Sequence, residues 1–238
     1  KINSELQKIE NIVRYLATND LLIEKIQQYA NSKKITERLN AKEDIYALLA
    51  RMKHYSEYIS SIVIFTSEES FYSGYGSPFY RITHNEILDS ILGTAFNRSA
   101  PGDIILFKPT EPYSLNPDIN LYTLTDNYSF GTLIIDKGVE YGSIFAIIKP
   151  CVFNISSEHN SSLILGSEGE VIWCDETIND EIIKIVKDAK LSYWQKNIQY
   201  TQNKKFALYQ TELGYNNWKL YYIQANSEIN NIMKPLKN

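Results

Sequence analysis

The 238-residue sequence predicts an α+β fold, and two observations carry that expectation. No proline or glycine occurs between Lys1 and Gly74, and apolar residues recur there at three- and four-residue steps, the spacing of one helix face. After Ser60 the pattern changes to short β-branched and aromatic runs punctuated by turn residues, and the order hairpin, helix, strands is met twice. The expected architecture is a long N-terminal helical spine over residues 1–59 with two lobes, 60–155 and 156–238. Each lobe is an antiparallel sheet flanked by helices.

Leu6, Ile9, Val13 and Leu16 mark the apolar face of a first helix. Thr18-Asn19-Asp20 interrupts it with short side chains that can accept from the unpaired N–H groups of a following first turn. Leu22, Ile26 and Tyr29 carry the second helix, and Asn31-Ser32 ends it. Ile35 and Leu39 open a third, whose stripe continues through Ile45, Leu48, Leu49, Met52, Tyr55 and Ile59. Ile62-Val63-Ile64-Phe65 and Phe71-Tyr72-Ser73 read as a hairpin closed by Gly74 and Gly76. Helical spacing returns from His84 to Asn97, until Pro101-Gly102 stops it. Strands are then expected at Ile104–Phe107, Leu121–Leu124, Gly131–Ile135 and Gly142–Ile148. Between the first two, Lys108–Asn120 is a proline-containing loop of a length that often carries function. In the second block, Leu163–Leu165 and Glu170–Trp173 form a hairpin, and Asn179–Ala189 a helix. Phe206–Tyr209 and Trp218–Ile223 are strands, and Ser227–Met233 opens a last helix.

Composition excludes several classes of function. The chain is 44% hydrophobic and 22% charged, so it can bury a sizeable core. A net charge of -4, with lysines scattered among acids, leaves no basic face for nucleic acid or an anionic membrane. No run approaches the roughly 20 consecutive apolar residues that cross a bilayer, and no signal-peptide pattern is present. The chain starts inside a helical pattern and stops abruptly, so both ends read as cuts in a longer protein. His54, His84 and His159 are isolated, and there is no HExxH, GxSxG or phosphate-loop motif. No cofactor and no metal are expected. Cys151 and Cys174 could form one disulfide outside the cytoplasm; the alternative is two small apolar side chains in the core.

The order of elements, with Ile59-Ser60-Ser61-Ile62-Val63-Ile64-Phe65 leading into the hairpin and Gly214-Tyr215-Asn216-Asn217-Trp218-Lys219-Leu220 near the end, resembles the double Cache domain. That family packs two PAS-like lobes along a long helix, and the resemblance covers essentially the whole chain. The start, with Leu16-Ala17-Thr18-Asn19-Asp20, is similar to sensor histidine kinases of Gram-positive bacteria. The resemblance implies the extracytoplasmic sensing region of a membrane-anchored receptor, with a small molecule bound in the membrane-distal lobe, 60–155. It also implies a homodimer through the N-terminal helix and a kinase in the cytoplasmic part. A chemotaxis receptor is the variant within the class, and a secreted hydrolase with an atypical site is the alternative outside it. Tyr80-Arg81 stands where the family's amino-acid-binding pattern has an aromatic residue and arginine. The tryptophan that follows there is replaced by Ile82-Thr83-His84, so no amino-acid ligand is predicted.

Candidate ligand contacts lie in the distal lobe. Arg81 presents a planar fork that matches a carboxylate, or it caps a helix at the surface. Among 18 tyrosines, Tyr72, Tyr80, Tyr113, Tyr122 and Tyr128 cluster in this lobe, where a flat apolar ring with a polar tip suits a metabolite pocket. The same residues also suit strands and the edge of a core. Asp126 and Asp136, like Asp103, stand at strand ends, where an acid can receive an amine or hydroxyl or shape a turn.

Overall fold

The computed structural model describes residues 2–74, 82–108, 127–154, 160–188, 196–200, 205–214 and 217–225. By contact the chain divides into two units, residues 4–150 and residues 151–238 together with 1–3. The sequence reading sets 1–59 apart and places the lobe boundary at 155/156. Contact instead groups the helices from residue 4 with the first sheet and divides the chain after Pro150.

Three helices open the chain: α1 (Ile2–Ala17), α2 (Asp20–Asn31) and α3 (Ile35–Lys53). Leu6, Ile9, Val13 and Leu16 are fully buried, as their spacing requires. Asn19 caps α2 with its side-chain oxygen, which accepts from Leu22 N at 2.9 Å. The stripe on α3 is buried only from Ala41 onward, at Ile45, Leu48, Leu49 and Met52. Ile35 and Leu39, expected to open that stripe, are 73% and 53% exposed, and Tyr55 beyond its end is also exposed. Helical spacing identified the helix correctly but could not say where its packing partner begins.

The first sheet contains β1 (Ile59–Phe65), β2 (Ser70–Tyr72), β3 (Ile105–Phe107), β4 (Ser129–Asp136) and β5 (Val139–Ile148), in the order β2-β1-β5-β4-β3. All neighbours are antiparallel. Ile62, Val63, Ile64 and Phe65 are all fully buried, because helices cover the sheet on both faces. On one face α3 meets β1 and β2, and α2 meets β5. Phe71 of β2 fits there between the rings of Tyr29 and Tyr46, 5.2 and 5.8 Å from their centroids. Beside it Lys42 Nζ lies 2.6 Å from the Glu69 carboxylate, which ties α3 to the β1–β2 hairpin. On the other face lie α4 (His84–Leu88) and α5 (Ile91–Phe96). The sequence reads these two as one helix. Ser90 breaks it, because its hydroxyl donates to Ile87 O and accepts from Leu92 N, ending one helix and capping the next.

Two glycines set the shape of β4 and β5. Lys137 and Gly138 both have positive φ, 49° and 78°, the twist of a two-residue hairpin turn. Gly142 has φ 154°, and a Cβ there would stand 2.2 Å from Phe65 O. Only glycine lets β5 pass the end of β1 this closely. Next to it the pairing shifts register, with Ile134 opposite Gly142 and Ile135 opposite Glu140, so Tyr141 forms a bulge.

The second unit repeats the plan. After a 3-10 turn at Pro150–Val152 come β6 (Asn160–Leu165), β7 (Val171–Cys174), α6 (Asp180–Asp188), β8 (Lys196–Tyr200), β9 (Lys205–Glu212) and β10 (Lys219–Ala225). The sheet order is β7-β6-β10-β9-β8, the same permutation as the first. Val186 of α6 packs with Leu163, Leu165, Leu208, Tyr221 and Ile223. Phe153 lies 6.2 and 6.1 Å from the rings of Trp173 and Trp218. β8 was not expected: Lys-Asn-Ile-Gln-Tyr is an edge strand too polar to register as one. The expected strand Leu121–Leu124 and helix Ser227–Met233 lie outside the described residues.

Gly142→Ala is expected to destabilise the protein by roughly 2–4 kcal/mol through steric overlap and backbone strain. Gly138→Ala, where nothing lies within 4 Å, should cost about 1–2 kcal/mol from φ alone. Denaturant titration of the two variants measures the difference.

Candidate functional site

The face of the first sheet under α4 and α5 belongs to the lobe expected to hold a ligand, and pairing register maps it residue by residue. Side chains alternate along each strand, so Val63 and Phe65, Phe145 and Ile147, and Leu133 share this face with Ile82, Ile87, Leu92, Phe96 and Phe107. Three rows cross it. Ser70, Phe65, Ser143 and Leu133 form the first row. Tyr72, Val63, Phe145, Gly131 and Ile105 form the second. Ser61, Ile147, Ser129 and Phe107 form the third. The rings of Phe96, Phe107 and Phe145 pack at centroid distances of 5.5 to 5.7 Å with one another, and Phe65 lies 5.9 Å from Phe145, giving the middle of the face an aromatic floor.

Polar groups fix the approach of α4 to this floor. Thr83 caps the helix in a reciprocal box with Glu86, whose carboxylate accepts from Thr83 N at 2.6 Å. His84 N donates to Thr66 O, at the end of β1. The His84 imidazole is buried between Ser143 Oγ, 3.1 Å from Nδ1, and the Glu140 carboxylate, which meets Nε2. A carboxylate only accepts, so Nε2–H donates to Glu140, while Nδ1 lies within hydrogen-bond reach of the Ser143 hydroxyl. The bulge at Tyr141 shifts the strand between those two partners. His84, isolated in sequence, thus closes a contact with a residue 56 positions away. A serine, histidine and glutamate in contact have the composition of a nucleophilic triad. Ser143, however, has no exposed surface and faces the core, so the trio positions α4.

The sequence-predicted residues fall as follows. Tyr72 is half-buried on the second row and packs against the aromatic floor. Tyr128 is buried immediately before β4, its carbonyl accepting from Ile148 N. Asp136 closes the β4–β5 turn, paired across it with Val139, where it shapes the hairpin. Asp103 has a similar local role, its carboxylate accepting from Ala100 N at 2.9 Å. Tyr80, Arg81, Tyr113, Tyr122 and Asp126 lie outside the described residues. No cluster of metal-ligand side chains occurs among the described residues.

The cysteines are both free, so the structure holds no disulfide between them. Cys151 is exposed on the 3-10 turn. Cys174 ends β7 half-buried, its Sγ directed at the carbonyls of Asp175 and Ile178. Burial raises the Cys174 pKa above the ordinary thiol value, and the charges of Asp175 and Asp180 add to that.

The two sheets share one strand order, a repeated α+β plan that is also met in domains of known structure. No family model and no curated protein matches the sequence. Solved structures share the fold over nearly the whole chain. The V. cholerae histidine kinase DctB sensor domain matches with TM-score 0.54 and 8% identity, over 94% of this chain and 91% of that one. The ligand-binding domain of the Pseudomonas aeruginosa amino acid chemoreceptor PctC, in complex with GABA, matches with TM-score 0.55 and 11% identity, over 94% and 92%. That of the Campylobacter jejuni chemoreceptor Tlp3, in complex with L-valine, matches with TM-score 0.53 and 9% identity, over 96% and 92%. At such identities the likeness is one of fold.

Two measurements check this geometry. Ser143→Ala removes one hydrogen bond of His84 and should cost about 1 kcal/mol. His84→Ala strands a buried hydroxyl and should cost about 2 kcal/mol, both read by denaturant unfolding. The thiolate is the reactive form, so the raised Cys174 pKa predicts slow labelling by a disulfide reagent at neutral pH that accelerates as pH rises. The fast phase should belong to Cys151 and vanish in Cys151→Ser.

Proposed function

We propose that this chain is the extracytoplasmic, small-molecule-sensing region of a membrane-anchored signal-transduction receptor, and that the receptor is a sensor histidine kinase. The observation that carries this reading is the recurrence of one strand order in two successive sheets, over a length that matches sensor domains nearly end to end. A chemotaxis receptor is the second reading, supported by the equally extensive likeness to PctC and Tlp3. Neither carries catalysis in this part of the chain. None of the described helices is long and apolar enough to cross a membrane, so anchoring falls to segments flanking this region.

The architecture supports a working scheme. A ligand held on the α4/α5 side of the first sheet contacts both that sheet and α4, which His84 fixes to β5. A ligand that binds two arrangements of those helices with different affinity shifts the balance between them, and the change passes to the output through the N-terminal helices. We assign a homodimer through α1, whose outward side carries Lys8, Asn11 and Tyr15. Arg81, with Tyr80, is the proposed partner of an acidic group on the ligand.

Thermal-shift screening against carboxylates, sugars, amino acids and purines tests the reading. A true ligand at a hundred times its dissociation constant should add about 2.7 kcal/mol of stability. Arg81→Ala should remove that gain, and a full shift in the variant would take the residue out of the site. Failure of every compound to stabilise the protein, together with a full-length gene lacking membrane segments on both sides, would overturn the sensor assignment.

A further inference from the structure

The third row of the sheet face holds two hydroxyls without a partner among the described residues. Ser61 and Ser129 are buried, at 1% and 0% exposure, and their Oγ atoms have no hydrogen-bond partner among the described residues. Other buried hydroxyls of the first unit are satisfied. Thr66 Oγ1 donates to Glu69 O at 2.8 Å, Ser90 Oγ to Ile87 O at 2.6 Å and Thr132 Oγ1 to Asp103 O at 2.7 Å, and Ser143 pairs with His84. A buried polar group without a partner is costly, and native proteins leave few of them. Here both fall on one row of one face, on either side of Ile147, with Phe107 next in line.

The row has a definite chemistry. Ile147 and Phe107 are apolar, and no charged residue lies among these four positions. Each serine offers one donor and accepts as well, which complements an uncharged hydroxyl, carbonyl or amide. Two strand spacings separate the serines by about 10 Å. Allowing a hydrogen bond of about 2.8 Å at each end, the groups that satisfy them stand roughly 4–5 Å apart, or somewhat more when arched over Ile147. We propose that Ser61 and Ser129 are the two polar contacts of a small-molecule subsite on the first-lobe sheet, taking an uncharged portion of a ligand with a hydrogen-bonding group at each end of a short apolar body. The proposal deepens the sensing role above, and its geometry stands independently of that role.

The probe is 1,4-butanediol, which carries two hydroxyls on a four-carbon chain, titrated into the protein labelled at backbone amides and isoleucine methyls and followed by NMR. The amides of Ser61 and Ser129 and the methyl of Ile147 should shift together and saturably. Ser61→Ala with Ser129→Ala should weaken that binding at least fivefold while leaving the melting temperature equal or higher, since the fold loses two unpaired hydroxyls and no bond. A hydroxyl with a hidden structural partner would instead lower the melting temperature. That result overturns the proposal, as do unchanged binding in the double variant, absence of a saturable shift in the wild type, and a buried water only at both hydroxyls. Mapping on the wild type needs no variant to fold. A metabolite that stabilises the protein while the diol leaves this row unmoved would sink the subsite and spare the sensor reading.

Discussion

The double burial of β1 is the constraint on which the rest of the first unit depends. Ile62, Val63, Ile64 and Phe65 lie between β2 and β5 with no exposed surface, so each alternate side chain needs a layer of its own. The helices α2 and α3 meet one face and α4 and α5 the other. Fully burying each such side chain contributes about 1.5–3 kcal/mol, far more than any surface ion pair in the unit. The close pass of Gly142 at Phe65 O, the bulge at Tyr141 and the His84 contact all follow from holding β5 against this strand.

That constraint also makes the candidate site. A sheet exposed on one side would offer water to Ser61, Ser129 and Ser143. Covered on both sides, it forces every hydroxyl to find a partner inside the protein or a ligand. Ser143 finds His84; Ser61 and Ser129 find none among the described residues. The same covering places α4 and α5 on one face of the sheet and α2 and α3 on the other. Among the described residues, the strands of the sheet lie between α4–α5 and α2–α3.

Sequence reading located most elements because their signals are local. Three helices in the first 53 residues, the hairpin at Ile62–Tyr72 and the strands β4, β5, β6, β9 and β10 are written in apolar period and turn chemistry. β8 escaped because an edge strand has little to bury, and the α4–α5 break escaped because a serine inside a helical pattern reveals its cap only in three dimensions. The exposed start of α3 shows the same limit from the other side: Ile35 and Leu39 have the right spacing and stay exposed.

The sequence by itself determined the fold class and the twofold plan, since these rest on composition and on residues a few positions apart. Tertiary structure alone decided which residues share a surface. Ser61 and Ser129 become neighbours across Ile147, and His84 meets Glu140, only through strand register, which depends on how distant segments pair. Register has a period of two, so one slipped residue would turn each of these side chains to the opposite face. No property of the individual residues records that choice.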